Sequence, residues 1–144
     1  MARRRRVTGL LFGLLSTLTL TLLGTAPASA STATWTLEAE NQRICVRATH
    51  GWPNTYAYAP VSGRWSTEIK TGVRNLPPGS SSTGGMTLQP GENHRRPDGG
   101  LVLNATVSLS LAPAPVGEYT AEIWATDGTE TQTDELLLSY RDKC

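Results

Sequence analysis

The fold is decided by one stretch of the sequence, LVLNATVSLSL at residues 101–111. Apolar side chains occupy its odd-numbered positions, and polar side chains occupy the even-numbered positions from Asn104 to Ser110. Alternation with a period of two over this length predicts a β-strand that places one face on a core and the other in water. We therefore expect an all-β protein organised around this strand.

The sequence on either side of this stretch also consists of short strand-like runs separated by turn signals. Alternating or β-branched runs predict strands at residues 35–39, 42–48, 55–61, 64–70, 72–76, 119–125 and 129–140. Pro60 is expected to end the third of these strands or to place it at a sheet edge. The dipeptide Asp127-Gly128 predicts a hairpin before the last strand. Seven or so strands with such turns predict an antiparallel β-sandwich.

The segment from Pro77 to Gly100 does not follow this pattern. It contains four prolines and six glycines and has almost no apolar content. This composition predicts a long, flexible, irregular loop. A loop of this length in a small domain is either functional or merely tolerated, and both alternatives stay open.

The first 30 residues have the pattern of a secretory signal peptide. Arg3 to Arg6 precede an apolar run from Val7 to Leu23, and Ala28-Ser29-Ala30 fits the small-x-small cleavage pattern. The mature chain, residues 31–144, would form a single domain. Loss of the four arginines would leave nine basic and twelve acidic residues, a formal net charge of −3 instead of +1.

These features restrict the partners that the mature protein could have. A weakly acidic chain without a basic cluster is a poor binder of nucleic acid, because phosphate contacts dominate that affinity. Residues 31–144 contain no apolar stretch close to the roughly 18 residues that a membrane helix needs. We therefore expect a secreted, extracellular, monomeric protein that has no membrane segment in its mature form.

The two cysteines, Cys45 and Cys144, predict one disulfide. An exported chain meets oxidising conditions, and two cysteines allow a single intramolecular pairing. Closing a loop of this length would stabilise the fold by up to roughly 4–5 kcal/mol in the chain-entropy model. Because Cys144 follows the last predicted strand, this bridge would hold a chain end and would not join two sheets through the core.

The stretch Pro115-Val116-Gly117-Glu118-Tyr119-Thr120 resembles the turn that leads into a late strand of immunoglobulin-like and fibronectin-like domains. In those domains the tyrosine forms a corner with the preceding backbone. The resemblance implies an immunoglobulin-like sandwich with Tyr119 at the corner. The position of Cys144 departs from the antibody pattern of bridging and puts an antibody-type topology in doubt.

A second resemblance rests on five segments of the mature chain, which are Gln42-Arg43-Ile44-Cys45-Val46, Ser62-Gly63-Arg64-Trp65, Asn75-Leu76-Pro77-Pro78-Gly79, residues 117–132 and Asp142-Lys143-Cys144. With these segments, nearly the whole mature chain resembles an uncharacterised family of small secreted actinobacterial proteins. The resemblance supports export and a β-fold. It implies no activity, ligand or catalytic residue.

No pattern for catalysis or for metal binding stands out. His50 follows a predicted strand, but no serine or acid is marked as its partner, and the G-x-S-x-G motif is absent. The acidic residues Asp127, Glu130, Asp134 and Glu135 fall in one hairpin and are predicted to form a solvated turn without a calcium ion. We assign no catalytic residue, no metal ligand and no cofactor.

The aromatic residues are the best candidates for a binding surface. Trp124 has the opposite parity to its apolar neighbours and is predicted to point away from the core, unless the long loop or a neighbouring strand covers it. Trp52 falls at a turn, and Tyr56 and Tyr58 share one face of a strand. Exposed aromatics on a flat sheet suit the stacking of sugar rings or contact with a protein. The remaining aromatics of the mature chain, which are Trp35, Trp65, Tyr119 and Tyr140, are predicted to lie in the core.

The favoured hypothesis is a secreted, non-catalytic β-sandwich that binds a protein or a glycan of the cell envelope or its surroundings. A second hypothesis is a small secreted inhibitor that presents residues 77–100 to an enzyme, because a rigid scaffold lowers the ordering cost of binding. A third is an unrecognised extracellular hydrolase.

Overall fold

A computed structural model describes residues 33–95, 97 and 99–144 and shows ten β-strands there. The strands are β1 (Trp35–Leu37), β2 (Gln42–Arg47), β3 (Trp52–Gly63), β4 (Ile69–Arg74), β5 (Ser81–Gly85), β6 (Thr87–Leu88), β7 (His94–Arg95), β8 (Leu101–Leu111), β9 (Gly117–Thr126) and β10 (Thr131–Arg141). The all-β prediction is confirmed, with more strands than the seven expected. The predicted signal peptide lies outside the described residues.

The strands form two sheets that enclose one core. The front sheet has the order β1-β3-β8-β5, with β7 also paired to β8, and the back sheet has the order β2-β10-β9-β4-β6. The core side chains come from both sheets and are almost fully buried, including Val61, Val107, Ile123 and Leu138. This arrangement is the predicted sandwich.

Strand β8 occupies the residues that decided the fold, and its odd-numbered positions from Ala105 to Leu111 are buried. It pairs in antiparallel register with β3 along one edge and with β5 and β7 along the other. Its polar positions, including Asn104 and Ser108, face outward. The central strand of the front sheet is therefore the one with the strongest sequence pattern.

Of the two alternatives predicted for Pro60, the early end of the strand is wrong, because β3 continues through this residue. The backbone oxygen of Pro60 accepts a hydrogen bond from the Glu38 N–H at 2.8 Å, on the side away from β8. The N–H and C=O of a strand residue point to the same neighbour, so the missing N–H of Pro60 also lies on that side. The ladder between β3 and β8 consequently loses no hydrogen bond.

The two strands predicted at residues 64–70 and 72–76 are one strand, β4, which begins only at Ile69. Trp65 is buried as predicted, but it lies outside any strand. Its indole N–H donates to the backbone oxygen of Gln89 at 3.0 Å. The alternation of apolar and polar residues around Trp65 therefore does not mark a strand. Trp65 is a buried side chain that anchors a loop.

The expectation of an irregular loop at residues 77–100 is wrong for much of that segment, which contains β5, β6 and β7. The chain pairs first with β8 through β5, then with β4 through β6, and returns to β8 through β7. A Cβ atom on Gly85 would lie 2.2 Å from Oγ1 of Thr71, so the crossing between the sheets is too close for any side chain. In the sequence, a glycine at such a position suggests a loop. In the structure, this glycine permits the close packing of the two sheets at the crossing.

The predicted disulfide between Cys45 and Cys144 is confirmed, with a Cα–Cα distance of 5.7 Å. Cys45 lies in β2 at the edge of the back sheet, and Cys144 lies beyond the end of β10. The pairing of β2 with β10 is parallel, which corrects the expectation of a purely antiparallel sandwich. β2 belongs to the back sheet and runs in the same direction as β10, its neighbour in that sheet.

Candidate binding face

The alternation of β3 places two tyrosines on the outer surface of the front sheet. Tyr56 and Tyr58 are 52% and 46% exposed, whereas Ala57 and Ala59 between and after them are buried against the back sheet. Small residues beneath the tyrosines let the two sheets approach closely. The tyrosine rings therefore stand on a rigid part of the sandwich.

The two rings contact each other at right angles. Their centroids are 5.2 Å apart with an interplanar angle of 85°, and their hydroxyl oxygens are 3.3 Å apart. This hydrogen bond with Tyr56 raises the pKa of Tyr58 above the usual value of a phenol. A phenol that ionises near pH 10 is already uncharged under physiological conditions, and the raised pKa of Tyr58 acts in the same direction.

A row of hydroxyl groups on β8 runs beside the tyrosines. Thr106 lies opposite Tyr58 and Ser108 lies opposite Tyr56, and all four side chains are on the outer surface. The Thr106 hydroxyl donates to the sulfur of Met86 at 3.8 Å, which places that exposed methionine beside the row. We call these five residues the tyrosine face.

A depression of about 540 Å³ adjoins the tyrosine face. Tyr56 and the hydroxyl row form its floor, Thr83 of β5 lies at one side, and Pro53 and Asn54 lie at the other. The register of β3 against β8 shifts between Trp52 and Thr55, so Pro53 and Asn54 occupy a β-bulge. Bulges change the direction of a strand and often shape the rim of a site.

The four aromatic residues that the sequence predicts for binding do not all lie on the same sheet. Trp52 is exposed at the start of β3, beyond the bulge and on the same strand as Tyr56 and Tyr58. Trp124 lies on β9 of the back sheet and is only half-buried. A binding role for Trp52 and for Trp124 stays a prediction, and the two cannot belong to one flat surface of a single sheet.

Trp124 points outward, and a neighbouring strand partly covers it. Its indole ring lies over Gly72 of β4, where a Cβ atom would be 2.4 Å from the ring. The register pairs these two residues directly. An aromatic ring that covers a strand glycine stabilises the pairing of both strands, which gives Trp124 a structural role.

Sequence reasoning assigned none of Thr106, Ser108 and Met86 to a binding site, and of these three Met86 is the one outside the predicted strand pattern. It lies between β5 and β6, in the segment expected to be irregular. No periodicity marks its position, because the segment changes sheets there. The proximity of Met86 to Thr106 depends on that crossing.

Several of the candidate residues for catalysis and metal binding make other contacts within the protein. His50 is exposed, and its Nδ1 is 2.7 Å from the hydroxyl of its neighbour Thr49. Within the described residues no group of three or more potential metal ligands comes together. The acidic residues of the last hairpin are therefore not gathered into a cation site in this part of the chain.

Two of these acidic side chains hold backbone groups in place. Hydrogen bonds from the Glu130 N–H, the Trp35 indole and Thr129 keep the pKa of Asp127 well below its usual range. Asp134 accepts the backbone N–H of Ala39 at 2.9 Å. The prediction of a merely solvated acidic turn is therefore wrong for these two residues.

The two outer surfaces of the sandwich differ in charge. On the front sheet, the outward positions of β3 from Tyr56 to Ser62 and of β8 from Val102 to Ser110 carry no charged side chain. The back sheet carries most of the ionisable groups, with ion pairs between Arg74 and Glu122 and between Arg141 and Glu118. The back-sheet residues that are exposed or half-buried and charged are Arg43, Arg47, Lys70, Arg74, Glu118, Glu122, Asp134, Glu135 and Arg141.

The topology and one local motif define the class of the protein. The order β1-β3-β8-β5 facing β10-β9-β4 is the order A-B-E-D facing G-F-C of the immunoglobulin fold. The Tyr119 hydroxyl donates to the backbone oxygen of Pro115 at 3.1 Å, which forms the predicted tyrosine corner. The chain is an immunoglobulin-like β-sandwich, and the doubt raised by Cys144 concerns only the position of the bridge.

Within this class, the chain belongs to DUF5980, a family of unknown function whose model matches residues 36–142. A search of curated proteins returns no significant match. Within the described residues no helix is long and apolar enough to cross a membrane.

Two solved structures are similar at low sequence identity. The ASH/PapD-like domain 7 of human CEP192 is 12% identical, with a TM-score of 0.38 and coverage of 99% of this chain and 100% of that one. The Vibrio cholerae VesB protease is 13% identical, with a TM-score of 0.37 and coverage of 75% of this chain. This chain spans about a third of that protease, at 32% of its length. Neither likeness bears on activity.

Proposed function

We propose that this protein is an exported, non-catalytic domain that binds a glycan or a protein of the cell envelope or its surroundings through the tyrosine face. The observation that carries the proposal is the exposed pair Tyr56 and Tyr58, which lies with an adjoining depression among outward positions of β3 and β8 that carry no charged side chain. Exposed aromatic side chains on a preorganised surface contribute large contact area at a low entropic cost. The disulfide and the signal-like sequence of residues 1–30 support an extracellular site of action.

The inhibitor hypothesis has less support than this binding role. Residues 81–95 pair with strands of both sheets, so this segment is not an extended loop free to enter an enzyme. The hydrolase hypothesis has no supporting constellation of side chains in the described residues.

The test is retention of the exported protein on envelope material from the organism that produces it. We expect Tyr56→Ala combined with Tyr58→Ala to abolish retention, because the aromatic contact area of the face is then removed. Val116→Ala, which removes another exposed apolar side chain far along the sequence, is the matched control and should bind like the wild type.

Trp124→Ala belongs in the same assay. Since Trp124 lies on the opposite sheet, we expect its removal to leave retention unchanged while lowering stability. Full retention by the double tyrosine variant would contradict the proposal, and loss of retention in Trp124→Ala at intact fold would move the binding site to the back sheet.

A further inference from the structure

We infer that the ligand of the tyrosine face is an uncharged oligosaccharide or polysaccharide. The inference rests on the proposed binding function and specifies its ligand. It places a sugar ring against Tyr56 and Tyr58 and the sugar hydroxyls along Thr106 and Ser108.

The distribution of charge is the first observation that supports this ligand class. The outward positions of β3 and β8 named above carry no charged side chain, although the opposite sheet carries many. An acidic glycan, a phosphorylated ligand or a charged peptide would find no counter-ion there, and burying a charge without a partner is costly. A neutral ligand avoids this cost.

The polar groups of the face are suited to hydroxyl-rich ligands. Each Ser or Thr hydroxyl can donate one hydrogen bond and accept others, which matches the mixed donor and acceptor character of sugar hydroxyls. Thr106, Ser108 and Ser110 succeed one another along the outer side of β8. At about 6.8 Å between alternate residues, the row spans about 14 Å, enough for more than one sugar ring.

The aromatic groups supply the apolar part of the contact. The negatively polarised face of an aromatic ring attracts the positively polarised C–H groups of a sugar ring. Because Tyr56 and Tyr58 meet edge to face and remain about half exposed, ring surface is left for such a contact.

The size of the depression agrees with a saccharide ligand. Its volume of about 540 Å³ is within the range of small-molecule sites, and its lining includes Tyr56 and the hydroxyl-bearing residues Thr106, Ser108 and Ser110. The five residues of the tyrosine face come from β3, β8 and the β5–β6 connection. Because Tyr56 lies opposite Ser108 and Tyr58 lies opposite Thr106, a sugar ring on the tyrosines would have a hydroxyl group of β8 beside it.

The experiment uses the full chain, exported to an oxidising compartment and recovered from the medium. Binding is measured by depletion on insoluble neutral polysaccharides (cellulose, amylose, mannan and curdlan), with polygalacturonate and hyaluronan as acidic comparisons. We expect binding to at least one neutral polymer, with a Kd that changes less than about 2-fold between 0.05 and 0.5 M salt, because no charges are neutralised.

Two threonine variants test the role of the hydroxyl row. Thr106→Val removes a hydroxyl from the tyrosine face at nearly constant volume, and we expect it to weaken binding about 2- to 10-fold, the usual effect of one lost hydrogen bond. Thr120→Val makes the same change on the exposed surface of the back sheet and should leave the Kd unchanged. Equal affinity of both variants and the wild type would overturn the placement of the sugar.

Envelope material treated with periodate or with protease separates this inference from the proposed function. Retention that survives protease and is lost after periodate supports the glycan. Retention that needs Tyr56 and Tyr58 but is lost after protease, or binding confined to the acidic polymers, overturns the glycan inference and leaves the binding function standing. Absence of wild-type binding to all polymers and to untreated envelope overturns both.

Discussion

At the scale of single residues, Asp127 shows how one side chain fixes a hairpin and a distant strand together. Its Oδ1 accepts the backbone N–H groups of Thr129 and Glu130, and its Oδ2 accepts the indole N–H of Trp35 at 2.9 Å. The first two bonds close the turn locally, as Asx residues commonly do. The third bond ties β1 of the front sheet to the hairpin of the back sheet.

We expect Asp127→Asn to change how stability depends on pH. The folded pKa of Asp127 lies below its unfolded value near 3.9, so the charged carboxylate stabilises the fold above that pH, and this contribution is lost as the pH falls below about 4. The variant cannot ionise and should be less stable than the wild type at pH 7, with the difference narrowing between about pH 4 and pH 2. Urea unfolding across this range measures the effect.

Asp142→Asn is the control, since this exposed carboxylate makes no hydrogen bond in the described part of the chain. Its unfolding curves should follow those of the wild type at every pH. A constant offset between Asp127→Asn and the wild type down to pH 2 would show that the carboxylate charge has no role.

At the scale of elements, the free edge of β3 is closed by a side chain. The pairing of β1 with β3 ends at Val61. Beyond this point, the side-chain amide of Gln42 accepts a hydrogen bond from the backbone N–H of Tyr58 at 2.9 Å and donates one to the backbone oxygen of Tyr58 at 2.7 Å. The side-chain amide of Gln42 thus makes the two hydrogen bonds that a neighbouring strand would make. It also protects an edge that could otherwise pair with another chain.

Gln42→Ala should lower the free energy of unfolding by about 1–2 kcal/mol, because it removes both hydrogen bonds to Tyr58 and a third to the Ala39 oxygen. Hydrogen exchange of the Tyr58 amide should accelerate at the same time. Gln89→Ala, which replaces an exposed glutamine whose backbone alone is hydrogen-bonded, serves as the comparison. Unchanged protection of the Tyr58 amide in Gln42→Ala would refute this role.

Sequence reasoning predicted the strands whose alternation of apolar and polar residues is visible within the strand itself. Strand β8 was predicted at its observed bounds because one buried and one exposed face impose a strict alternation. The shared face of Tyr56 and Tyr58 and the outward direction of Trp124 also followed from alternation along a strand. The sequence left open whether a neighbouring strand covers Trp124, and the structure shows its half-buried ring packed over Gly72 of β4.

The elements that depend on distant contacts were not predicted. Strands β5 to β7 are short and take their stability from pairing with β8 and β4, so glycines and prolines in this segment suggested a loop. Met86 was missed for the same reason. Of the candidate site, the aromatic residues were within reach of sequence reasoning, and their grouping with Thr106 and Met86 required the fold.

At the scale of the whole molecule, one covalent bond closes almost the entire described domain into a loop. The half-cystine residues are 99 positions apart in the sequence, and the bridge joins the edge strand β2 to the residues after β10. Such a link restricts the unfolded chain much more than the folded one.

Replacing both cysteines by alanine should lower the free energy of unfolding by about 4–5 kcal/mol in the chain-entropy model. Urea denaturation of the exported protein with and without a reductant measures this difference. The reduced wild type and the double variant should coincide, and intact mass should rise by the mass of two hydrogens on reduction. An unchanged midpoint after complete reduction would contradict the stabilising role of the bridge.

The same bridge determines how the domain responds to mechanical force. A pull between Trp35 and Cys144 passes from Cys144 through the sulfur atoms directly to Cys45, and the chain between the two cysteines is not stretched. Only the residues from Trp35 to Cys45 can lengthen, by a few tens of ångströms, whereas reduction would allow about 340 Å of additional chain to extend at about 3.4 Å per residue. An oxidised domain held at Trp35 and Cys144 therefore acts as a short tether, and its greatest length under load depends on whether the bridge is intact.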